Sequence, residues 1–504
     1  MSAISREAAP RAKPYELWLV VFLVALLTAR LIANVFARTD LVFDEAQYWS
    51  WSRDLDFGYF SKPPLIAWLI RATTAVCGNG ETCIRSFPPV LYTIASWFVF
   101  LTGRALYGAR VGFWSAIVFD TLPMIAFLAA AVTTDVPLVL FWSIALYLWT
   151  MLIERNSMAW AVALGLTIGA GLLAKYAMIY FALCMACQAI FSAEAREALR
   201  GRRALAIALL ALALIAPNLY WNYAHGFITF QHTANNAAWQ RHVSHLWRFV
   251  QFLLYQFGVY GPVLFAMVLW ITAMAIRGRT DRRVVMLLAF SLPILVLITV
   301  QSLISRTHAN WTAPVAPAAS ILVTAWLLER DRRVLLGVTA ATNVLATAAM
   351  LIGPALPAGV FPAKSDPFAR TTGWKDVAAS VRRQLAKDGY RAVAVDGRDL
   401  AAELIYYLRD STVPLFVVTA NDVPRNHFEM TRAYRAGALE PVLFVSLRDQ
   451  SRAAIDQFKS ATSLGTQTIP GGGTRGRTLH FYSLTGFAKP ADSPTAPDES
   501  DSDE

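Results

Sequence analysis

The sequence predicts a polytopic α-helical membrane protein of about 11 spans with a C-terminal extracytoplasmic α/β domain. Three observations predict it. Hydrophobic residues make up 56% of the 504-residue chain and charged residues only 16%, which excludes an ordinary soluble multidomain protein. Apolar runs recur as far as Gly353, many of them close to the ~17–25 residues that cross a bilayer. Beyond Gly353 the composition changes: Pro354, Pro357 and Pro362 mark a linker, and helical and strand-like patterns then alternate. The net charge of +11 resides mostly in arginines of short loops, so it calls for no nucleic-acid partner.

The first span, 15–36, has no small-residue processing site after a short apolar core and reads as a retained helix. Arg6, Arg11 and Lys13 precede it. Later basic clusters are Arg196, Arg200, Arg202 and Arg203, then Arg277, Arg279, Arg282 and Arg283, then Arg330, Arg332 and Arg333. The positive-inside rule puts all of them in the cytoplasm. The loops near Thr133 to Asp135, Asn218 to Trp247 and Ser305 to Trp311 are poor in Lys and Arg and belong outside. Counting Pro64 to Cys77 as a crossing would invert the later clusters. That segment is short and carries Arg71 near its middle, so it reads as an interfacial helix.

The remaining expected spans are 86–103, 111–131, 136–152, 158–174, 177–192, 204–219, 249–274, 284–303, 312–328 and 334–353. Three regions follow: a transmembrane domain 1–353 that includes the external loop 38–85 with interfacial helices, an external α/β domain 354–486, and a disordered acidic tail 487–504. Within the α/β domain, helices are expected over 374–386, 400–408 and 450–459. Strands are expected over 392–395, 414–418, 441–445 and 479–483, forming a partly parallel sheet. No Gly-rich phosphate loop sits at a strand-to-helix turn, and Gly471-Gly472-Gly473 reads as a hairpin.

The polar residues concentrate at the external ends of the spans. Asp44-Glu45-Ala46-Gln47-Tyr48-Trp49-Ser50-Trp51 follows the first span, with Tyr59-Phe60-Ser61-Lys62-Pro63-Pro64 after it and Arg85 at the end of the same loop. Charge at a membrane lip is costly to keep dry, which points to chemistry. The bland alternative is a solvated loop anchored by Trp49 and Trp51. Asp135 opens the fourth span, Lys175-Tyr176 closes the fifth, and Arg306, His308, Asn310 and Trp311 form a later turn. Carboxylates beside cations suit a reaction that deprotonates a hydroxyl and expels a phosphate. Taken singly, Asp135 would serve as a helix cap and Lys175 as a snorkelling side chain.

Cys184 and Cys187 lie in an apolar helix and read as packing residues. Cys77 and Cys83 flank Gly78-Asn79-Gly80, where a disulfide is available if the loop faces an oxidising compartment. Five of the seven histidines, His225, His232, His242, His245 and His308, fall in external loops, but their spacing matches no closed zinc pattern, so no metal ligands are assigned. The aromatic loop Trp221 to Phe227 can shape a cleft or anchor at the interface.

The Asp44-Glu45 pair, the Lys62-Pro63-Pro64-Leu65 element, the Arg85 element and the Asp135-Val136-Pro137-Leu138 helix start resemble the family 39-type, GT-C fold glycosyltransferases. That group includes protein O-mannosyltransferases and the lipid A aminoarabinose and galacturonic acid transferases. The resemblance covers residues 15–330, and His308-Ala309-Asn310-Trp311 is similar to a turn in bacterial members. It implies a polyprenyl-phosphate sugar donor, a lipid or glycolipid acceptor such as lipid A or the lipopolysaccharide core, and inversion at the anomeric carbon. By resemblance, Asp44 is the base and Asp135 orients the acceptor or stabilises charge on the sugar. Lys62 contacts the donor phosphate, with Arg85 and Lys175 as further candidates. Glu45, Tyr59, Tyr176, Arg306, His308 and Asn310 bind substrate or support the site, with Glu45 bonding Lys62 or Arg53. A departing phosphate needs no general acid, unlike the glycosidase case. Some relatives bind a divalent ion, so the resemblance leaves room for one. The competing readings are a flippase or transporter of lipid-linked sugar and a non-catalytic envelope assembly factor. A transporter gathers its ionisable groups near the midplane of broken helices, whereas here they gather at one interface.

Overall fold

The computed structural model describes residues 15–237, 246–278, 280–305, 307–357, 359–362, 365–387, 389–419, 423–449, 451–471 and 476–488. All of the expected disordered tail except Phe487 and Ala488, together with His242, His245 and Arg306, lies outside the described residues; Phe487 instead ends the last strand, and Ala488 donates its N–H to the Gln457 carbonyl at 2.8 Å. Two compact units result. One gathers the helix that ends at Phe36, Pro63–Ile66 and the chain from Arg85 to Gly353; the other gathers Ala37–Lys62, Ala67–Ile84 and the chain from Pro354 onward. The sheet-bearing unit therefore includes the loop after the first span.

The first unit is helical because its sequence is apolar over spans long enough to satisfy every backbone group internally. Among the described residues seven helices are long and apolar enough to cross a membrane, or eight if one bent pair counts as a single span. Those eight coincide with eight of the expected spans. The other three fall on shorter helices: Met158–Ala174, Tyr176–Phe191, and a segment split into Ala109–Thr121 and Pro123–Leu128. Pro123 causes that split, since it has no N–H to continue the ladder. The bent pair, Leu246–Val259 and Pro262–Arg277, turns through 115° at Gly261, whose φ of +78° suits only glycine, followed by Pro262.

Close helix packing uses small residues. A Cβ at Gly165 would lie 2.9 Å from the Ile207 Cα, and one at Gly169 would lie 2.7 Å from the Leu214 Cβ. This Gly-x-x-x-Gly stripe draws Met158–Ala174 onto Arg202–Ala224 in the manner of membrane helix pairs. It thereby fixes the end of the first helix, where Lys175 stands.

A buried ion pair was not anticipated. Arg30 Nη1 lies 2.7 Å from Asp120 Oδ1, joining helices Tyr15–Phe36 and Ala109–Thr121, and both side chains are buried.

The second unit carries a five-stranded sheet in the order β2-β1-β3-β5-β4, with β1 Ala392–Val395, β2 Leu415–Val417, β3 Val442–Ser446, β4 Phe458–Ile469 and β5 Arg477–Phe487. β2, β1 and β3 are parallel, and β5 pairs antiparallel with both β3 and β4. The three parallel strands are almost wholly buried Val, Leu, Phe and Ala, as two-sided coverage requires. Helices Trp374–Leu385 and Arg398–Tyr407 match their expected positions within two residues at either end.

One expectation fails. The 450–459 helix is only Arg452–Ile455, and the chain then enters β4. β4 is exposed along nearly its whole length, so no apolar alternation announces it; its ladder with β5 makes it a strand. The glycine run lies in the β4–β5 connection, of which 472–475 are outside the described residues.

The loop after the first span is held inside this unit. Leu41 donates its N–H to the Tyr407 hydroxyl at 2.9 Å, Asp40 accepts from the Trp374 N–H at 2.7 Å, and Lys375 bridges Asp40 and Glu81. Cys77 and Cys83 form a disulfide. Tyr59 stacks flat on Trp51 at 4.6 Å, and the His427 ring meets both rings edge-on at 5.4 and 5.7 Å.

Burial lowers the His427 pKa from an ordinary 6.5 to about 4, with the Arg432 charge acting the same way. The unfolded chain takes up the proton first. The stabilising effect of the neutral ring is therefore full above about pH 6.5 and is lost as pH falls through about 4. His427→Phe keeps a ring in the slot and removes the titration. We expect its melting temperature in detergent to fall less than that of the unaltered protein between pH 7 and pH 4.5. Identical pH profiles would rule this account out.

Candidate active site

In the first unit the polar residues meet at helix ends. Asp135 is the first residue of helix Asp135–Arg155 and is buried. It does not serve as the cap. Its Oδ1 accepts from Lys175 Nζ at 2.8 Å and its Oδ2 from Asn310 Nδ2 at 2.8 Å. Lys175 follows the end of Met158–Ala174 in extended conformation, which swings its ammonium to Asp135 rather than out to headgroups. Asn310 lies in the 3₁₀ turn Ala309–Val315. Three segments remote in sequence thus converge on one carboxylate. A carboxylate has about four lone-pair positions and an ammonium three N–H donors, so among the described residues Asp135 keeps acceptor capacity for a ligand and Lys175 keeps two donors.

Next to Lys175, the Tyr176 hydroxyl donates to Asn218 Oδ1 at 2.8 Å and accepts from Asn222 Nδ2 at 3.1 Å, while its ring stacks on Phe230 at 5.0 Å. Asn218 and Asn222 are one turn apart on the same helix and wholly buried. Sequence reading placed both in an external loop; they are instead the support of Tyr176. His308 precedes the same 3₁₀ turn as Asn310 and stands 5.7 Å from the Trp311 ring. Arg85 is buried at the start of this unit's third stretch, Arg85–Gly353.

In the second unit, Asp44 sits in the first turn of helix Phe43–Trp51, which packs against Arg398–Tyr407. Its Oδ1 pairs with Arg398 Nη2. Arg398 Nε donates to Gln47 Oε1 at 2.7 Å, and its guanidinium lies 5.0 Å over the Phe43 ring. Glu45 is buried and accepts the Val42 N–H at 3.0 Å, so its carboxylate closes the helix start. Arg53, suggested as its partner, instead donates to Ser52, Asn79 and Thr74 and covers the Trp49 ring. The Tyr59 hydroxyl donates to the backbone carbonyls of Trp51 and Asp54, shared between the two, which makes it a support of the loop; burial pushes its pKa up. Lys62 is half-buried, and its carbonyl accepts the Tyr59 N–H at 3.1 Å.

Beneath this helix, Glu403 is fully buried and neither carboxylate oxygen finds a hydrogen-bond partner among the described residues. Burial pushes its pKa far up, and the charges of Asp40 and Glu45 push the same way.

Arg398 and Gln47 were missed by sequence reading. Gln47 lies one turn after Asp44, a signal that was available. Among the described residues no group of three or more His, Cys, Asp or Glu gathers to hold a metal ion.

Residues 61–221 match the model of the dolichyl-phosphate-mannose-protein mannosyltransferase family. The chain is 33% identical over 420 residues to lipid A galacturonosyltransferase RgtD of Rhizobium johnstonii, covering 83% of this chain and 88% of that protein. It is 29% identical over 205 residues to the lipopolysaccharide core galacturonosyltransferase RgtA of the same organism, covering 39% of this chain and 40% of that one. In fold it resembles ArnT from Cupriavidus metallidurans crystallised with undecaprenyl phosphate, with TM-score 0.66 and 17% identity over 94% of this chain and 99% of ArnT. The chain belongs to the GT-C fold membrane glycosyltransferases, in the family that includes lipid A galacturonosyltransferase RgtD.

Proposed function

We propose that this glycosyltransferase moves a uronosyl group from a polyprenyl-phosphate donor to a hydroxyl of lipid A or the lipopolysaccharide core, with inversion. The observation that carries the reading is the likeness to RgtD along 83% of the chain. Asp44 takes the proton of the acceptor hydroxyl while the acceptor oxygen bonds to the anomeric carbon. The carbon–phosphate oxygen bond breaks on the opposite face, and its electron pair leaves on the polyprenyl phosphate. Asp135, fixed by Lys175 and Asn310, orients the acceptor or faces positive charge growing on the sugar. Lys62 meets the donor phosphate, and Lys175 and Arg85 add positive potential. Cations can replace a general acid because the leaving group is a stabilised anion.

The reaction takes place on the periplasmic side of the inner membrane, with a cytoplasmic N terminus. Two features support this: the arginine clusters at alternate loops, and the Cys77–Cys83 disulfide in the loop that carries Asp44. The three regions 1–353, 354–486 and 487–504 remain our division of labour, with loop 38–85 and the sheet domain acting together.

Mass spectrometry of lipid A and core from cells with and without the gene tests the reading. We expect one uronosyl residue to be missing without it, and identical glycolipid masses would refute it. In membranes, Lys62→Ala should raise the donor KM on the order of 10-fold, as loss of one charge-assisted contact does; an unchanged donor KM would remove Lys62 from the phosphate site.

A further inference from the structure

A uronosyl donor presents two anions: the phosphate that departs and the sugar carboxylate that stays. Selecting it over the neutral hexose of the same shape requires a cation aimed at the carboxylate. Arginine suits this because its planar fork matches two carboxylate oxygens.

Arg398 has that character. It opens helix Arg398–Tyr407 directly after β1, at the carboxyl edge of the parallel strands, where open α/β sheets hold their ligands. The crevice between β1 and β3 at that edge is closed, because Asp396 accepts from Ser446 and Ser451 across it. Arg398 is instead engaged with helix Phe43–Trp51. Nε is spent on Gln47, Nη2 on Asp44, and one face of the group on Phe43. The guanidinium has five N–H donors; both on Nη1 and the second on Nη2 have no partner among the described residues. The Arg398 side chain is 35% exposed and that of Asp44 44% exposed, so the pair is open on one side.

We propose that Arg398 is the specificity-determining residue for a uronic acid donor, its Nη1 edge binding the sugar carboxylate while Nη2 holds Asp44. The inference rests on the proposed uronosyl transfer and on Asp44 as base. One guanidinium then sets the position of the base relative to the sugar. The Phe43 ring covers one face of the planar fork, and Gln47 fixes its rotation. A neutral hexose leaves the Nη1 donors unsatisfied by the sugar.

The test compares two donors of one polyprenyl phosphate, galacturonosyl and galactosyl, with membranes holding unaltered protein, Arg398→Gln or Arg398→Lys. We expect the unaltered protein to prefer the uronosyl donor. Arg398→Gln should cut that preference, as the ratio of kcat/KM values, on the order of 10- to 100-fold, mainly through a higher KM for the uronosyl donor. Arg398→Lys, which keeps the charge and loses the fork, should fall between. The ratio is read within one preparation, so partial misfolding cancels. An unchanged ratio in Arg398→Gln, whether both donors fall together or neither does, overturns the inference while leaving the transferase reading intact. No transfer from either donor by the unaltered protein refutes that reading, and with it this inference.

Discussion

Asp44→Asn lowers sugar transfer in membranes on the order of 10²- to 10⁴-fold, the range a positioned general base contributes, while protein abundance stays unchanged. The substitution keeps the side chain's size and leaves an oxygen to accept from Arg398, so the first turn of helix Phe43–Trp51 retains its contact. What it removes is the capacity to accept the acceptor's proton. The loop around it is stabilised by other groups: Glu45 at the helix start, Tyr59 on Trp51, and Asp40 on the Trp374 N–H. Loss of activity with normal abundance and melting temperature therefore isolates the chemistry. Transfer within a few-fold of the unaltered protein would remove Asp44 from the role of base.

Asp120→Ala has the largest expected effect on folding. Asp120 is fully buried and Arg30 nearly so, both within helices of the membrane domain. Truncating the acid leaves a guanidinium without its counter-charge in an apolar surround, which costs about 3–5 kcal/mol. We expect a large fall in the folded fraction after heating in detergent. The paired replacement Arg30→Met with Asp120→Leu removes both charges at similar volume, and it should recover most of the loss, since buried ion pairs exchange for apolar residues at little cost. A single substitution as stable as the unaltered protein would show that the pair is dispensable. Failure of the double replacement to recover would assign the cost to lost packing instead.

Asp135, Lys175 and Asn310 were legible because each stands at the end of an apolar run, where hydropathy alone separates it from the span. The sequence did not reveal that Asp135 binds the other two, since contacts between helix ends depend on how helices pack. Arg30 and Asp120 were illegible for the converse reason: each lies inside a run whose mean character is apolar, and one charge does not break the pattern. β1, β2 and β3 stood out as short blocks of Val, Leu, Phe and Ala. β4 did not, because its ladder to β5 is its main support and both its faces are wet. Arg398 had no local signature at all, being 354 positions from the carboxylate it holds.

The membership of the second unit sets an order of events during synthesis. The loop carrying Asp44 leaves the ribosome early, yet Leu41 waits for Tyr407, 366 residues later. At about 5–20 residues per second that interval is roughly 20–70 seconds. Throughout it, Trp49, Trp51 and the acids around them lack the helix that covers them. The nascent loop therefore stays uncovered until the C-terminal part of the chain arrives. A ribosome that stops before Arg398 releases a chain whose membrane helices can insert but whose candidate base has no arginine to hold it.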